Sequence, residues 1–126
     1  MNSTHAISPL TLAGFEVVPQ LKQDALDLLW RGNADMNVSV ALKAYLKDLD
    51  AEARRQNVQL VRANLHELYF VSSACFQALA SWLATVAARR GTGTYKVTFA
   101  THPAHPWQKR SLEALRHMAP EVVAVV

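Results

Sequence analysis

Between residues 15 and 126 the hydrophobic pattern changes period repeatedly, and that alternation limits the fold more than any other feature of the chain. FEVVPQL (15–21) and ALDLLWR (25–31) read as short strands, with Gln23 and Asp24 in the turn between them. Pro19 has no N–H to give a ladder, so the first of these is expected at an edge. RGNAD (31–35) then breaks the pattern, as Gly and Asn do where a backbone must turn. From Asn37, a fair N-cap, the period becomes helical. Val38, Leu42, Tyr45, Leu46, Leu49 and Ala53 share one stripe, while Lys43, Lys47, Asp48 and Glu52 lie off it.

VQLVRANL (58–65) follows as a buried strand. A second helix carries Phe76, Leu79, Leu83 and Val86 at spacings of three and four, and Gly91-Thr92-Gly93 is expected to stop it. YKVTFAT (95–101) is the next strand. Pro106 opens a third helix with Leu112, Leu115 and Met118 facing inward, and EVVAVV (121–126) closes the pattern. Strands separated by single helices call for an α/β domain: a mixed, mostly parallel sheet of about five strands, with three or more helices covering at least one face. The domain is expected to span 15–126, with 1–14 as a tail or weak strand. There is no internal repeat or low-complexity segment.

Composition narrows the function classes. The chain has 126 residues, about half of them hydrophobic, enough for one core. No run of apolar residues is long enough to span a bilayer, so membrane insertion is not expected. The first residues lack the basic start and apolar block of a signal peptide, and the single cysteine permits no internal disulfide. A cytoplasmic setting follows as the expectation. Residues 1–53 carry four Lys and Arg against seven Asp and Glu (net −3), and residues 54–126 carry nine against three (net +6). Such bipolarity suits steering toward a charged protein partner. Nucleic acid is not the expected partner, because Arg54-Arg55, Arg89-Arg90 and Lys109-Arg110 are scattered pairs rather than a tract.

Little in the sequence resembles catalytic machinery. His102 and His105 flank prolines, but a zinc site needs three or four ligands, and His5, His66 and His117 show no ligand spacing to this pair. Cys75 falls in the first turn of the second helix without a second thiol or an adjacent base, which favours a small buried side chain over a nucleophile. No phosphate loop, nucleophile elbow or spaced carboxylate pair is present. No catalytic residue, metal or cofactor is expected. Trp30, Trp82 and Trp107 read as core or core-edge residues, with Trp107 half exposed at its helix start.

Two adjacent serines, Ser72 and Ser73, stand where the fourth apolar run yields to the second helix. The surrounding segment NLHELYFVSSACFQALA (64–80) resembles, without gaps, the signature of STAS domains, the anti-sigma factor antagonist family. Asn64 and Leu65 match its start, and Leu68, Phe70 and Val71 match its hydrophobic positions. Ser72 occupies the place of an aspartate, Ser73 that of the phosphorylated serine, Ala74 that of a second hydroxyl residue and Cys75 that of a glycine. Gly32 to Asp35 is similar to the family's Gly-x-x-Asp loop before the first helix.

The resemblance implies a partner-switching module. Ser73 or Ser72 would accept a phosphate, and Asp35, Asn33, Ala74, Cys75 and Gln77 would meet the partner. That partner would be a kinase-type anti-sigma factor or a related ATP-binding switch protein, with a phosphatase restoring the complex. A phosphate at a helix N-terminus is tolerated by the helix dipole while adding about −1.5 to −2 charge at the surface. The alternative implied by the departures is a STAS scaffold or transport-complex subunit that is never phosphorylated. Taken without the family match, either serine is simply a helix cap.

Overall fold

Leu26, Leu28 and Trp30 are buried while Asp27, Leu29 and Arg31 between them are not, the two-residue rhythm of a strand with one covered face. The computed structural model describes residues 7–89 and 94–126. Within them, β1 (Leu10–Leu12), β2 (Phe15–Lys22) and β3 (Ala25–Ala34) form an antiparallel meander. β4 (Leu60–Val71), β5 (Lys96–Ala100) and β6 (Val123–Val125) continue the sheet in parallel, so the order across it is the order along the chain. Three α-helices connect the parallel strands: α1 (Ser39–Arg55), α2 (Ser73–Ala88) and α3 (Pro106–Met118). Successive crossovers step one way across the sheet, and the right-handed rule for such crossovers puts their helices on one face, where α1 packs on α2 and α2 on α3.

That face holds the core. Val61, Ala63, Val97 and Phe99 from the sheet join Leu42, Leu46 and Leu49 of α1, Leu79, Leu83 and Val86 of α2, and Leu112 and Leu115 of α3. The opposite face is solvated and carries ion pairs, Asp27 with Lys22 and Arg62, and Arg31 with Glu16 and Glu67.

Several sequence expectations need correction. The fold class stands, and among the described residues the six strands of the sheet include one beyond the five or so expected, Leu10–Leu12, which pairs with the start of β2. Pro19 still lies past the end of β1, where β2 has no outer neighbour. RGNAD does not end its strand: β3 runs through Gly32 and Asn33 to Ala34. The buried strand read as 58–65 extends to Val71. Asn37 is not the N-cap. Asp35 is, and it caps a 3-10 turn (Met36–Val38) that leads into α1, its Oδ1 accepting the Asn37 N–H at 2.9 Å. Met118 is 46 % exposed rather than inward, and Ala119 is buried instead. The expected stop at 91–93, the 90th residue and His5 lie outside the described residues.

β4 reaches its length through irregularity. Against β3 the register slips between Leu29 and Arg31 and again between Gly32 and Asn33, each time with an extra residue on β4. β5 pairs with β4 only as far as Asn64. The carbonyls beyond that point need other donors, and Gln108 on α3 supplies them. Its fully buried Nε2 donates to the Leu65 and Leu68 carbonyls at 2.7 and 2.9 Å, and its Oε1 accepts the His102 N–H at 3.0 Å. One side chain thus ties α3 and the loop before it to the end of β4 that precedes α2.

A second polar link joins α1 and α2 to Tyr95, the residue just before β5. Buried Asp50 pairs with Arg89 and accepts from the Tyr95 hydroxyl at 2.6 Å, while the Trp82 Nε1–H donates to that hydroxyl at 2.8 Å. Burial and the Asp50 hydrogen bond push the Tyr95 hydroxyl's pKa well above the ordinary tyrosine value.

Candidate functional site at the N-terminus of the second helix

Ser72 sits between β4 and α2 in extended conformation, with φ −71° and ψ 164°. Its N–H donates to the Ala34 carbonyl at 2.8 Å, which joins the C-terminal ends of β3 and β4. Its hydroxyl oxygen accepts the Cys75 N–H at 3.2 Å, and its carbonyl receives the Phe76 N–H. Ser72 is therefore the N-cap, satisfying one of the helix's orphan donors. Ser73 is the first residue of the helix, and its side chain is exposed.

The neighbouring turn is held against this helix start from two directions. Gly32 has φ +93°, and a Cβ there would stand 2.1 Å from the Gly14 carbonyl oxygen, so only glycine fits. That close approach lets the Asn33 N–H donate to Gly14 O at 2.8 Å. On the other side the Cys75 thiol donates to the Asp35 carbonyl at 3.3 Å. Burial pushes the Cys75 thiol up in pKa, which keeps it protonated as a donor. A protonated thiol with no exposed surface is a packing and positioning group rather than an activated nucleophile.

Asp35, Asn33, Ser73 and Gln77 are thus exposed residues on or beside one helix start, Ser72 and Ala74 are partly exposed, and Cys75 presents nothing to a partner. Two hollows flank the start of α2. Toward α3 a groove is lined by Ser72, Ser73, Phe76, Gln77, Trp107 and Ser111. Toward α1 a cleft is bordered by Val40, Lys43, Ala74 and Gln77. Val40 on the border of this cleft is 80 % exposed and Met36, in the 3-10 turn before α1, is 71 % exposed, apolar side chains that the sequence reading did not single out. Their signal was present: neither falls on the apolar stripe of α1, so each is a hydrophobic residue without a core to enter.

Gln108 was also missed, although it stands four and seven residues before Leu112 and Leu115, on the same stripe. His102, His105 and His66 do approach one another, with ring centroids 5.2 Å apart for His66 and His102 and 5.9 Å for the other pair. They serve local structure: His102 Nδ1 accepts the Ala104 N–H, and His105 Nε2 lies 3.2 Å from the His66 carbonyl. Among the described residues no group of His, Cys, Asp and Glu is arranged to hold a metal ion. No helix among them is long and apolar enough to cross a membrane.

At the level of sequence, no protein-family model and no curated protein matches the chain. Its structure does find neighbours. An anti-sigma factor antagonist from Mycobacterium paratuberculosis superposes with a TM-score of 0.62 over 96 % of this chain and 89 % of that one, at 14 % identity. The chain has the STAS fold. The anti-sigma factor antagonist SpoIIAA, in its unphosphorylated form, superposes with a TM-score of 0.50 over 76 % of this chain and 79 % of its own, also at 14 % identity. In this STAS fold the resemblance carried by residues 64–80 falls on β4 and the start of α2, and Gly32–Asp35 falls on the turn beside them.

Proposed function

We propose that this chain is a regulatory protein-binding module of the partner-switching kind, an anti-sigma factor antagonist-like domain of residues 15–126 that works in the cytoplasm without catalysing a reaction. Its docking surface is the N-terminus of α2 with the Asn33–Asp35 turn, and its switch is phosphorylation of Ser73. The observation that supports this reading is the division of labour between the serines. Ser72 is engaged as the cap, while Ser73 sits one residue into the helix, exposed. A phosphate on Ser73 would lie at the positive end of the helix dipole, so the domain tolerates it. The same charge, about −1.5 to −2, would sit in the middle of a partner's footprint and disrupt it. The partner is a kinase-type anti-sigma factor or a related ATP-binding switch protein, reset by a phosphatase.

A second reading is a STAS scaffold or transport-complex subunit that is never phosphorylated. It is favoured by Ser72 and Cys75 standing where the family signature has aspartate and glycine, with Cys75 locked into packing against the Asp35 carbonyl. Intact-mass measurement of the protein purified from its native cell, across growth conditions, separates the two. A fraction heavier by one phosphate that disappears in Ser73→Ala supports the switch. Persistence of that fraction in Ser73→Ala but not in Ser72→Ala reassigns the acceptor. A single unmodified mass under every condition leaves the scaffold reading.

A further inference from the structure

The outer side of the α1–α2 pair is a continuous trough. The cleft beside Val40 and Ala74 shares Lys43, Ala78 and Ser81 with a second hollow of about 380 Å³ that continues toward Arg54 and Thr85. Together they follow α2 from Ala74 to Thr85, about 16 Å of helix at 1.5 Å per residue. The floor is apolar, made by Leu46, Ala78 and Trp82. The α2 wall is small and uncharged, with Ser81 and Thr85 exposed on it.

The α1 wall is cationic. Lys43, Lys47 and Arg54 all line the trough, and among the described residues none of their side chains has a hydrogen-bond or ion-pair partner. Lys43 and Lys47 are four apart on one helix, an arrangement in which like charges repel. No acid of α1 relieves it. Asp48 falls about 140° round the helix from Lys43. Glu52 pairs with Arg55. Asp50 does line the trough, but its two oxygens are taken by Arg89 and Tyr95. Lys43 and Lys47 belong to the half of the sequence whose net charge is −3, and Arg54 opens the basic half, so folding has concentrated positive charge on one face of a helix drawn mostly from the acidic segment.

We infer that this trough docks an acidic amphipathic helix of a protein partner, with its apolar side on Ala78 and Trp82 and its carboxylates against Lys43, Lys47 and Arg54. An apolar floor between one cationic and one small, uncharged wall fits a helix with a hydrophobic stripe and acidic flank. The inference goes beyond the switch at Ser73, because it rests on the charge and shape of the α1–α2 face and holds whether or not Ser73 is modified.

The test uses the full chain and a fluorescein-labelled helical peptide about 14 residues long, with leucines at i, i+4, i+7 and i+11 and glutamates flanking them. Its binding is followed by anisotropy, with amide shift changes mapping the footprint. Saturable binding that shifts α1 and α2 amides around Lys47 and Ser81 is expected. The triple change Lys43→Glu/Lys47→Glu/Arg54→Glu should weaken it at least about tenfold, and so should Ser81→Tyr, which fills the trough without altering charge. Circular dichroism and melting of both variants confirm that they are folded. Equal affinity for a scrambled peptide of the same composition would overturn the inference by reducing it to bulk electrostatics. So would binding to phosphatidylglycerol vesicles without binding to the peptide. Undiminished peptide binding by the folded Ser81→Tyr variant would overturn it as well. Ser73 variants are not part of this test, so its failure leaves the switch reading to its own measurements.

Discussion

The Ser72 hydroxyl accepts the backbone N–H of Cys75 at 3.2 Å, and this single bond assigns the two serines different work. Capping demands an extended residue whose oxygen reaches back over the first turn, which only Ser72 satisfies here. Ser72→Ala should therefore lower stability by about 1 kcal/mol. Ser73→Ala should stay within about 0.5 kcal/mol of wild type, as substitutions at exposed positions do. Urea unfolding of the two variants side by side checks the assignment. Equal losses would mean that both hydroxyls cap the helix.

Gln108 should be among the least replaceable polar residues of the domain. Gln108→Leu keeps most of the volume but removes the donors to the Leu65 and Leu68 carbonyls, leaving buried acceptors without partners. The expected cost is about 1–3 kcal/mol. Gln108→Glu should cost more, since an ionised carboxylate would face two carbonyl oxygens. Denaturant midpoints, with Trp fluorescence to report on neighbouring Trp107, measure both; a Glu variant as stable as wild type would contradict this geometry.

Alkaline pH should expose the Asp50–Tyr95–Trp82 link. The folded pKa of Tyr95 is raised above the ordinary 10.0, first by burial and then by the Asp50 hydrogen bond. A group raised on folding contributes stability in full below its unfolded pKa and loses it as pH rises through the folded value. Stability should then be flat up to about pH 10 and decline above it. Tyr45, pushed up to about 12 by burial, adds to the same decline. Tyr95→Phe should flatten part of it, while costing about 1–3 kcal/mol at neutral pH because Trp82 Nε1 and one Asp50 oxygen each lose a partner. An unchanged alkaline slope in Tyr95→Phe would show that its hydroxyl titrates normally.

The change of hydrophobic period made the α/β order and the three helices legible, since each covers the sheet with a stripe at three- and four-residue spacing. What failed was local. On α3 the reading stepped by threes from Leu112 through Leu115 to Met118, which turns the stripe back by about 60° at each step. The buried side instead runs Gln108, Leu112, Leu115 and Ala119. A polar residue on that stripe looked like surface because its partners, two carbonyls freed by irregular pairing of β4, are 40 and 43 positions away. Asn37 looked like the cap because the apolar stripe begins at Val38, but a 3-10 turn moves the entry back to Asp35. At the candidate site, the segment was legible from its serines, while the roles of Ser72 and Ser73 required backbone geometry. The unpaired cations of α1 were legible only as residues off a stripe, because the wall they face is contributed by α2.

The two helices offer a direct check on that distinction between stripe and surface. Leu79 and Leu83 lie in the core, and truncating either to alanine should cost about 2–5 kcal/mol. Met118→Ala, at a position the spacing rule placed inside, should change stability by less than about 0.5 kcal/mol. Thermal melts of the three variants decide it. A large loss at Met118 would restore the inward orientation.

The last expectation concerns binding at Ser73. With the wild-type partner captured from the native cell and identified, Ser73→Ala should retain affinity, because the hydroxyl has no structural duty. Ser73→Asp should weaken binding at least about tenfold, which corresponds to roughly 1.4 kcal/mol. It should leave the melting temperature nearly unchanged, since a carboxylate in the first turn of a helix is favourably placed. Ser72→Ala should behave differently, losing stability first and affinity only as far as the helix start loosens. Asp35→Ala should also reduce binding, through the loss of an exposed carboxylate and of the bond to the Asn37 N–H that shapes the turn, with the domain still folded. Such a pattern separates a docking surface from a capping motif, because a capping role moves stability and a docking role moves affinity. Equal partner affinity for wild type, Ser73→Asp and Asp35→Ala would place the partner's footprint elsewhere on the domain.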